Sequence, residues 1–474
     1  MISYKENWSF VRLGDFADYE KGKKPKFSSK YLDNGYKYPY VDIVAFEKGI
    51  IREYVNAEKC VLCGDNDLLM VWDGSRSGYV GKSIKGVVGS TLMRLRFPDI
   101  DNGYAYYYLR SKFHEINKRV KGTGTPHVDP TLLWNYELPI PPLPEQRAIV
   151  AKIEQLFSEL DNGIANLKKA QEQLKVYRQA VLKQAFEGEL TRGWRASQLH
   201  LPSADELLDR IARERESSAK AQGKKLKPVK PISKEELAAL PVLPDGWSWV
   251  TLGNFTLGVE YGTSTKSQEI GRVPVLRMGN IQNGKIDWDD LVFTDNEEEI
   301  TKYQLREGDV LFNRTNSPEL VGKTAIYTGD REAIYAGYLI RINQINSLLE
   351  SRFLNYFLNS CFAKVFSDTV KTDGVNQSNI NGEKLKSYPF PFCSPAEQAQ
   401  VVQEIETRFS VCDNLESAIR ESLEKAEALR QSILKKAFEG SLLSEAELDE
   451  TRRAPDWEPA EKLLERIRKE RKVI

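Results

Sequence analysis

Two short motifs in this chain of 474 residues resemble the end of a phosphate-binding loop. Gly-Lys-Ser occupies residues 81–83, and Gly-Lys-Thr occupies residues 322–324. A loop that wraps nucleotide phosphates needs another glycine five positions before the glycine of such a motif. Those positions hold Arg76 and Ser317. The motifs therefore do not predict nucleotide binding or hydrolysis.

The cysteines and histidines form no recognisable metal or catalytic site. Cys60 and Cys63 have the spacing of zinc ligands, but neither a second cysteine pair nor a matching histidine pair follows. His114, His127 and His200 are isolated from one another in the sequence. No serine–histidine–aspartate or paired-carboxylate arrangement can be proposed. The sequence thus predicts no catalytic residue and no metal ligand.

Loops rich in lysine, arginine and amide side chains offer a different chemistry, the binding of nucleic acid. Residues 21–30 hold five lysines, which we interpret as phosphate contacts, although a solvated loop is the alternative. Arg76 and Arg314 lie in polar loops at matching positions, each after a strand ending. Arginine can grip guanine through two hydrogen bonds or pin a phosphate.

Two further polar segments, residues 121–127 and 371–379, combine glycine with hydroxyl and amide side chains. Asn and Gln can pair with adenine, and glycine lets the backbone approach DNA closely. A structural role is the alternative for every candidate. The candidate DNA-binding residues are Lys21, Lys23, Lys24, Lys26, Arg76, Lys82, Lys121, Thr123, Thr125, His127, Lys266, Arg277, Asn280, Arg314, Asn316, Lys323, Asn376, Gln377 and Asn379.

These loops belong to two copies of one unit. Arg-Gln-Ala-Val-Leu-Lys-Gln-Ala-Phe-Glu-Gly at residues 178–188 returns as Arg-Gln-Ser-Ile-Leu-Lys-Lys-Ala-Phe-Glu-Gly at residues 430–440, an offset of 252 positions (430 − 178). The same offset relates Glu-Gln at 145–146 to Glu-Gln at 397–398. A further match aligns Val-Gly-Lys-Ser at 80–83 with Val-Gly-Lys-Thr at 321–324. An internal repeat of this length predicts two similar domains related by a pseudo-twofold axis.

A long helix is predicted in each copy, after a proline-bearing segment. Apolar residues recur every three or four positions, which is typical of a coiled-coil seam. Ser394, Pro395 and Glu397 form a capping-box pattern, and Gly188 and Gly440 stand where a C-terminal cap belongs. Each helix would be roughly 65 Å long. One such helix could be a bundle element, but two of equal length after two similar domains favour antiparallel pairing with each other.

The rest of each copy is predicted to be an α+β domain, because short alternating runs rich in β-branched and aromatic residues are separated by Asn-Gly turns. Amphipathic stretches at 204–215 and 460–471 either dock on a partner or are solvated helices. The expected boundaries are a first domain at 1–143, a first long helix at 144–189, a linker with a short amphipathic helix at 190–244, a second domain at 245–394, a second long helix at 395–440 and a C-terminal tail at 441–474.

Composition sets the class of protein. Basic and acidic residues both number 68, so the net charge is zero, which argues against indiscriminate nucleic-acid binding but allows local basic patches. Five scattered cysteines favour free thiols in a reducing cytoplasm. No run of about 18 apolar residues predicts a membrane span, and the first residues lack the apolar core of a signal peptide.

The tandem arrangement of strand-rich domain, Glu-Gln junction, long helix and Arg-Gln-x-x-Leu-Lys-x-Ala-Phe-Glu-Gly ending resembles the specificity subunit of type I restriction-modification systems. The resemblance covers nearly the whole chain. It implies an α+β fold with two target recognition domains separated by two antiparallel coiled-coil helices. It also implies that each domain reads one half of a bipartite site in double-stranded DNA, while the helices set the spacing.

The resemblance further implies a non-catalytic DNA-binding subunit that works in the cytoplasm without a membrane. Its expected partners are two modification (methyltransferase) subunits and restriction (translocase and nuclease) subunits. No cofactor is expected on this chain, since S-adenosylmethionine, ATP and Mg²⁺ would belong to those partners. The alternative from the residues alone is a bivalent protein-interaction scaffold with a coiled-coil spacer.

Overall fold

The computed structural model describes residues 7–122, 124–221, 223, 225–226, 228–375 and 377–471. Its chain divides into two compact units. The first unit combines residues 1–168 with residues 420–474, and the second consists of residues 169–419. Each unit therefore contains one globular domain and a segment from each of two long helices.

The first domain is a mixed α+β fold. Its strands are β1 (Ser9–Arg12), β2 (Asp18–Lys21), β3 (Ser28–Ser29), β4 (Tyr38–Val41), β5 (Tyr54–Val55), β6 (Leu62–Cys63), β7 (Leu68–Val71), β8 (Val80–Lys82), β9 (Gly86–Val88), β10 (Leu92–Arg96) and β11 (Glu137–Ile140). Its helices are α1 (Leu13–Phe16), α2 (Ile43–Lys48), α3 (Asn102–Lys118) and α4 (Pro130–Trp134). Three sheets form, with the orders β2-β10-β7-β8, β3-β5-β4-β9-β6 and β1-β11.

Between the two domains, the described residues form the helices α5 (Leu143–Phe186), α6 (Arg192–Ser197), α7 (Ala204–Ala221) and α8 (Lys234–Ala238). Of these, α5 is the first long helix and has 44 residues. Gly188 follows its end with φ of +73°, which only glycine adopts readily, so the predicted C-terminal cap is present.

The second domain is larger. Its strands are β12 (Ser248–Thr251), β13 (Thr256–Tyr261), β14 (Val273–Leu276), β15 (Ile281–Gln282), β16 (Gly284–Ile286), β17 (Val292–Thr294), β18 (Val310–Asn313), β19 (Thr315–Asn316), β20 (Thr324–Ile326), β21 (Ile334–Tyr335), β22 (Leu339–Gln344), β23 (Thr372–Asp373), β24 (Ser378–Asn379) and β25 (Pro389–Phe392). Its helices are α9 (Glu297–Tyr303), α10 (Ser351–Leu358), α11 (Cys361–Val370) and α12 (Gly382–Lys386), with 3-10 turns at Leu252–Phe255 and Met278–Asn280. The chain ends with α13 (Pro395–Phe438), α14 (Glu445–Arg452) and α15 (Ala460–Arg471).

Both domains are built on the same sheet, because the order β2-β10-β7-β8 returns as β13-β22-β18-β20. Strands β7 and β18 are buried along their whole length, which is why both are apolar without alternation, apart from Asn313 at the end of β18. The second domain extends the sheet by β16 and β15. The predicted duplication is therefore present in the fold as well as in the sequence.

This common sheet corrects one part of the sequence match. Gly78 donates its backbone N–H to Val71, and Gly322 donates to Asn313, in each case the last residue of the central strand. Both glycines have φ near +90°, and a Cβ at either would collide with Ile116 or Ser367 of a packed helix. Gly322 thus corresponds to Gly78 and not to Gly81. The Gly-Lys motifs at 81–82 and 322–323 only look alike.

In the first unit, the two long helices meet through Arg430 of α13. Its guanidinium lies 4.6 Å from the ring of Phe157 and forms an ion pair with Asp161, both on α5. Further along α13, Phe438 packs edge-on against Tyr104 and Tyr108 of α3, at 5.2 and 5.3 Å between ring centroids. Because α13 ends at the domain from which α5 begins, the two helices are antiparallel.

In the second unit, the same contacts recur with the helices exchanged. Arg178 of α5 lies 4.9 Å from the ring of Phe409 and forms a 2.6 Å ion pair with Asp413, both on α13. Phe186 packs against Phe353 and Phe357 of α10, each at 5.2 Å. These six residues on the long helices and α10 reproduce the first unit's arrangement. The prediction of two antiparallel, pseudo-symmetric long helices is confirmed.

A glutamine joins each long helix to its own domain. Gln146 donates to the carbonyl of Pro141 and accepts the backbone N–H of Asp101, the residue that caps α3, both at 2.8 Å. Gln398 likewise accepts the N–H of Glu350, which caps α10, at 3.0 Å. Both glutamines are fully buried. Each therefore satisfies backbone groups at two helix starts at once, which fixes the angle between them.

The glutamates beside these glutamines have another role than predicted. Ser394 caps α13 by accepting the N–H of Glu397 at 3.3 Å, as the capping-box pattern requires. The Glu397 carboxylate, however, accepts from Arg195 and Thr191 rather than turning back to Ser394. Its counterpart Glu145 accepts the indole N–H of Trp8 at 3.0 Å. Two buried carboxylates thus anchor the segments that flank each domain.

The amphipathic stretches pack inside the chain, so neither sequence-based alternative holds for their apolar faces. Leu207 and Ile211 of α7 join the core of the second domain. Leu463, Leu464 and Ile467 of α15 join the core of the first domain. The same Leu-Leu-x-x-Ile pattern serves both units. Burial of these faces leaves only their polar sides to solvent.

We expect Phe186→Ala and Phe438→Ala each to lower the free energy of unfolding of one unit by about 3–5 kcal/mol, because each removes a buried aromatic ring. Hydrogen exchange should accelerate in α10 for Phe186→Ala and in α3 for Phe438→Ala. Tyr177→Ala, an exposed position on α5, is the matched control and should change neither. Equal loss of protection in both units from either variant would contradict this assignment.

Candidate nucleic-acid interface

In the first domain, three predicted loops meet where β2 and β7 end. Lys21 forms a 2.8 Å ion pair with Asp73, just after β7. Asp73 also pairs through its backbone with His127, which in turn pairs with Lys121. The carbonyl of Pro126 accepts the N–H of Gly74 at 2.8 Å. The lysine-rich, arginine-bearing and glycine-threonine segments therefore form one surface.

The lysines of this surface differ in whether they are paired with a carboxylate. Lys23, Lys24 and Lys26 are exposed on the loop that follows β2. Lys121 pairs with Asp129 at 2.9 Å, and this hydrogen bond lowers the pKa of the Asp129 carboxyl. The exposed lysines are therefore the better candidates for phosphate contacts, since no carboxylate in the described part of the chain pairs with them.

Arg76 is less available than the sequence suggests. Its guanidinium forms a 2.7 Å ion pair with Glu47 and lies 4.0 Å above the ring of Tyr79. Lys82 is exposed on β8, and Thr125 is exposed beside His127. Thr123 lies outside the described residues. Recognition of a base by Arg76 would require this side chain to leave Glu47 and Tyr79.

In the second domain, Arg314 occupies the centre of the corresponding surface. Its guanidinium lies 4.8 Å from the ring of Tyr261 and makes only long hydrogen bonds, of 3.5 Å to the carbonyl of Gly337 and 3.4 Å to the amide oxygen of Asn379. Within the described part of the chain, its Nε is buried and has no hydrogen-bond partner. No carboxylate of the described residues pairs with it. The Arg314 guanidinium is thus held in place while its hydrogen-bonding capacity is only partly used, which suits a side chain that binds an external acceptor.

Arg314 and Arg76 are not at matching positions. Arg314 follows β18 directly, and the residue that follows β7 directly is Trp72. Arg76 lies further along that loop. The predicted match of the two arginines is wrong because the loops that follow the equivalent strands β7 and β18 differ in length. That difference is not visible from the strand ends in the sequence.

The amide residues of the second domain gather around Arg314. Asn316 on β19 pairs with Ser378 on β24, and β24 also pairs with β23, so a small three-stranded sheet carries these side chains. Asn379 donates to the hydroxyl of Thr315 at 2.7 Å, which orients its amide oxygen toward Arg314. Gln377 is exposed at the tip. Asn376 lies outside the described residues.

Lys266 and Lys323 lie apart from this group. Lys266 is exposed in the loop after β13. Lys323 is half-buried, and burial together with the nearby charge of Lys364 lowers its pKa. Its ammonium donates to Gln282 at 3.4 Å. Of the two, Lys266 has the position that most resembles the lysine-rich loop of the first domain.

Asn280 and Arg277, both predicted DNA contacts, bond to other residues of their own loop. Asn280 is 3% exposed. Its amide accepts the N–H of Arg277 at 2.8 Å and donates to the carbonyls of Asp287 and Asp289. The Arg277 guanidinium forms a 3.1 Å ion pair with Asp290. Asparagine in a turn more often satisfies backbone groups than reads a ligand.

Sequence reasoning missed Asp73 and Tyr261, which hold Lys21 and Arg314. A weak signal existed, since Lys21-Gly22 and Tyr261-Gly262 end equivalent strands. The N–H of Gly22 bonds Leu92 at 2.9 Å, and that of Gly262 bonds Leu339 at 3.4 Å. Single-sequence comparison did not align these pairs because the residue before each glycine differs.

The cysteine pair considered for zinc does not form a site. Cys63 is buried and its thiol donates to the carbonyls of Ile84 and Gly86, at 3.2 and 3.4 Å, while Cys60 lies on the surface side. Among the described residues, no three His, Cys, Asp or Glu side chains come together as metal ligands would. In the same residues, no helix is long and apolar enough to cross a membrane.

Comparison with known proteins gives a consistent result. The family described as "Type I restriction modification DNA specificity domain" matches residues 5–169 and 244–425. The chain is 28% identical to the type I restriction enzyme MjaVIII specificity subunit of Methanocaldococcus jannaschii, over 92% of this chain and 93% of that one. It is 25% identical to the EcoKI specificity subunit of Escherichia coli K12, over 99% and 92%. A solved structure from a study of type I R-M complex assembly has a TM-score of 0.63 at 19% identity, over 93% and 100%, and supports the fold.

We expect Asn280→Ala to lower the free energy of unfolding by about 1–3 kcal/mol, because it leaves buried backbone groups without partners. Chemical denaturation provides the measurement. Gln377→Ala, at an exposed position, should change that free energy by less than about 0.5 kcal/mol. A result in which both variants are equally stable would show that Asn280 does not hold its loop.

Proposed function

Since the chain belongs to the type I restriction modification DNA specificity family, we propose that each of its domains reads one half of a bipartite site in double-stranded DNA. The surfaces around Lys21 and around Arg314 would make those contacts. The paired helices α5 and α13 would set the spacing between the half-sites. The chain itself is a non-catalytic specificity subunit of a restriction-modification complex.

The observation that carries this proposal is the contrast between what is duplicated and what is not. The helix contacts of Arg178 and Arg430 are the same in both units, down to the phenylalanine and aspartate that each touches. The loops on the corresponding sheet edges differ in length and chemistry. One presents exposed lysines, and the other presents Arg314 among amides. A common frame with different surfaces suits two domains that read different sequences.

Assembly with partner subunits completes the proposal. Two modification subunits would bind along the chain and carry S-adenosylmethionine for adenine methylation, and restriction subunits would add ATP- and Mg²⁺-dependent translocation and cleavage. The complex would act in the cytoplasm. The polar outer sides of the two long helices, which carry charged residues on nearly every turn, are the natural contact for such partners.

Arg314 is the best candidate for direct base reading. Guanine presents two acceptors in the major groove, and a guanidinium can bond both at once. Holding the guanidinium against Tyr261 and Asn379 reduces the entropy lost on binding. No carboxylate among the described residues pairs with it, so binding need not break an ion pair there. We therefore assign a G·C pair to the half-site of the second domain.

Exchange of residues 245–394 for the same region of a relative should change one half of the recognised site and leave the other half unchanged. Methylome sequencing of a host carrying the exchanged subunit and its modification partner would show both halves. Change in both halves would refute independent reading by the two domains. If no sequence-dependent methylation depends on this chain at all, the interaction-scaffold alternative would replace the proposal.

We expect Arg314→Lys and Arg314→Gln to relax recognition of one G·C pair, with a loss of discrimination of about 1–3 kcal/mol. Competition binding of the complex to duplexes altered at each position measures this. Arg272→Lys is the matched control, because Arg272 is engaged with Glu297 in the same domain. A uniform loss of affinity at all sequences, with a shallower salt dependence, would instead make Arg314 a phosphate contact.

A further inference from the structure

The loop that leaves the first domain's surface after β2 exposes three large apolar side chains within residues 27–32. Phe27 is 73% exposed, Tyr31 is 78% exposed and Leu32 is 63% exposed. Single exposed apolar residues are common, but three within six positions on a recognition surface indicate a binding role.

The same loop is basic and well supported. Lys23, Lys24 and Lys26 are exposed before Phe27, and Lys30 is exposed between Phe27 and Tyr31. Strand β3, which follows Phe27, forms the edge of a five-stranded sheet through pairing with β5. An edge strand fixes the base of the loop while leaving its outer side open.

A tight turn closes the far end of the loop. The carboxylate of Asp33 accepts the backbone N–H of Gly35 at 2.7 Å and that of Tyr36 at 2.9 Å. Tyr31 is tied down as well, since its N–H bonds the Ser29 hydroxyl at 3.0 Å. The apolar side chains are therefore held by a loop that is already folded. Inserting them into a partner would cost little further conformational entropy.

We propose that this loop is a wedge, in which Phe27, Tyr31 and Leu32 enter between base steps of the DNA and kink it, while the flanking lysines hold the phosphates. Apolar side chains that unstack base steps bend duplexes by about 20–90°. The phosphates that flank such a step are the charge complement of the lysines that lie before and within the apolar group. This inference rests on the proposed function of DNA reading.

The wedge acts in one half-site only. The corresponding loop of the second domain, residues 263–272, exposes one large apolar side chain, Ile270 at 85%, and carries Glu269 beside it. An isolated apolar residue next to a carboxylate is a poor match for DNA. The kink should therefore lie in the half-site that the exchange of residues 245–394 leaves unchanged.

The test uses this chain assembled with its modification subunits on a duplex that contains the methylated site. Fluorescence energy transfer between the duplex ends reports bending, and 2-aminopurine placed in each half-site, away from the adenine that the modification subunits methylate, reports unstacking. The wild-type complex should bend the duplex and raise 2-aminopurine fluorescence in the first domain's half-site alone. The triple variant Phe27→Ala, Tyr31→Ala, Leu32→Ser should lose both signals, whereas Ile270→Ala should keep them.

A lysine variant separates the two parts of the loop. Lys23→Ala, Lys24→Ala, Lys26→Ala should reduce the slope of log affinity against log salt by about 0.9 per lost phosphate contact, while bending persists at low salt. Unchanged slope would refute the phosphate contacts.

Bending by the triple variant equal to that of wild type would overturn the wedge. So would a folded triple variant that fails to join the modification subunits, which would make the loop a protein-docking surface. Failure of the wild-type complex to prefer any sequence would instead overturn the proposed function itself, so the two failures are distinguishable.

Discussion

The structure depends on one contact made twice, an arginine of one long helix laid across a phenylalanine of the other and paired with an aspartate one turn away. Arg430 does this to Phe157 and Asp161, and Arg178 does it with Phe409 and Asp413. Each cation–π contact contributes on the order of 1 kcal/mol, and a partly exposed ion pair contributes less. Their value lies in geometry, because a contact that needs both partners at fixed heights permits one register of the two helices.

That register would mean little if the helices were free to swing on their domains. Buried Gln146 and Gln398 prevent this by bonding the caps of α3 and α10. Phe186 near the end of α5 is buried against α10 of the second domain, and Phe438 at the end of α13 is buried against α3 of the first domain. The Arg-Gln-x-x-Leu-Lys-x-Ala-Phe-Glu-Gly repeat thus supplies both the register contact and the end contact. The sequence repeats most closely where the packing demands are identical.

The parts of the fold that follow from periodicity were predictable from sequence, and those that follow from loop length were not. The long helices, their direction and the glycine after each end could be inferred because helical spacing and caps are local signals. The equivalence of Gly78 with Gly322 could not, because it rests on backbone hydrogen bonds across the sheet. The partners of Glu397 and the burial of α7 and α15 also depend on which distant segment fills a gap. Residue type alone likewise failed to separate Asn280, which satisfies its own turn, from Asn379, which faces Arg314.

A chain with zero net charge can bind DNA because some of its cationic side chains are paired with carboxylates and others are not. Arg76, Arg277 and Arg430 are engaged with carboxylates, so they add no net attraction for phosphate. Arg314 and the lysines of the loop after β2 lack such partners in the contacts described above. Engaged arginines fix the frame, and in the proposed function the unengaged cations would define where DNA binds. Such a division lowers indiscriminate attraction to any duplex, and it makes sequence preference a matter of a few positioned side chains rather than of total charge.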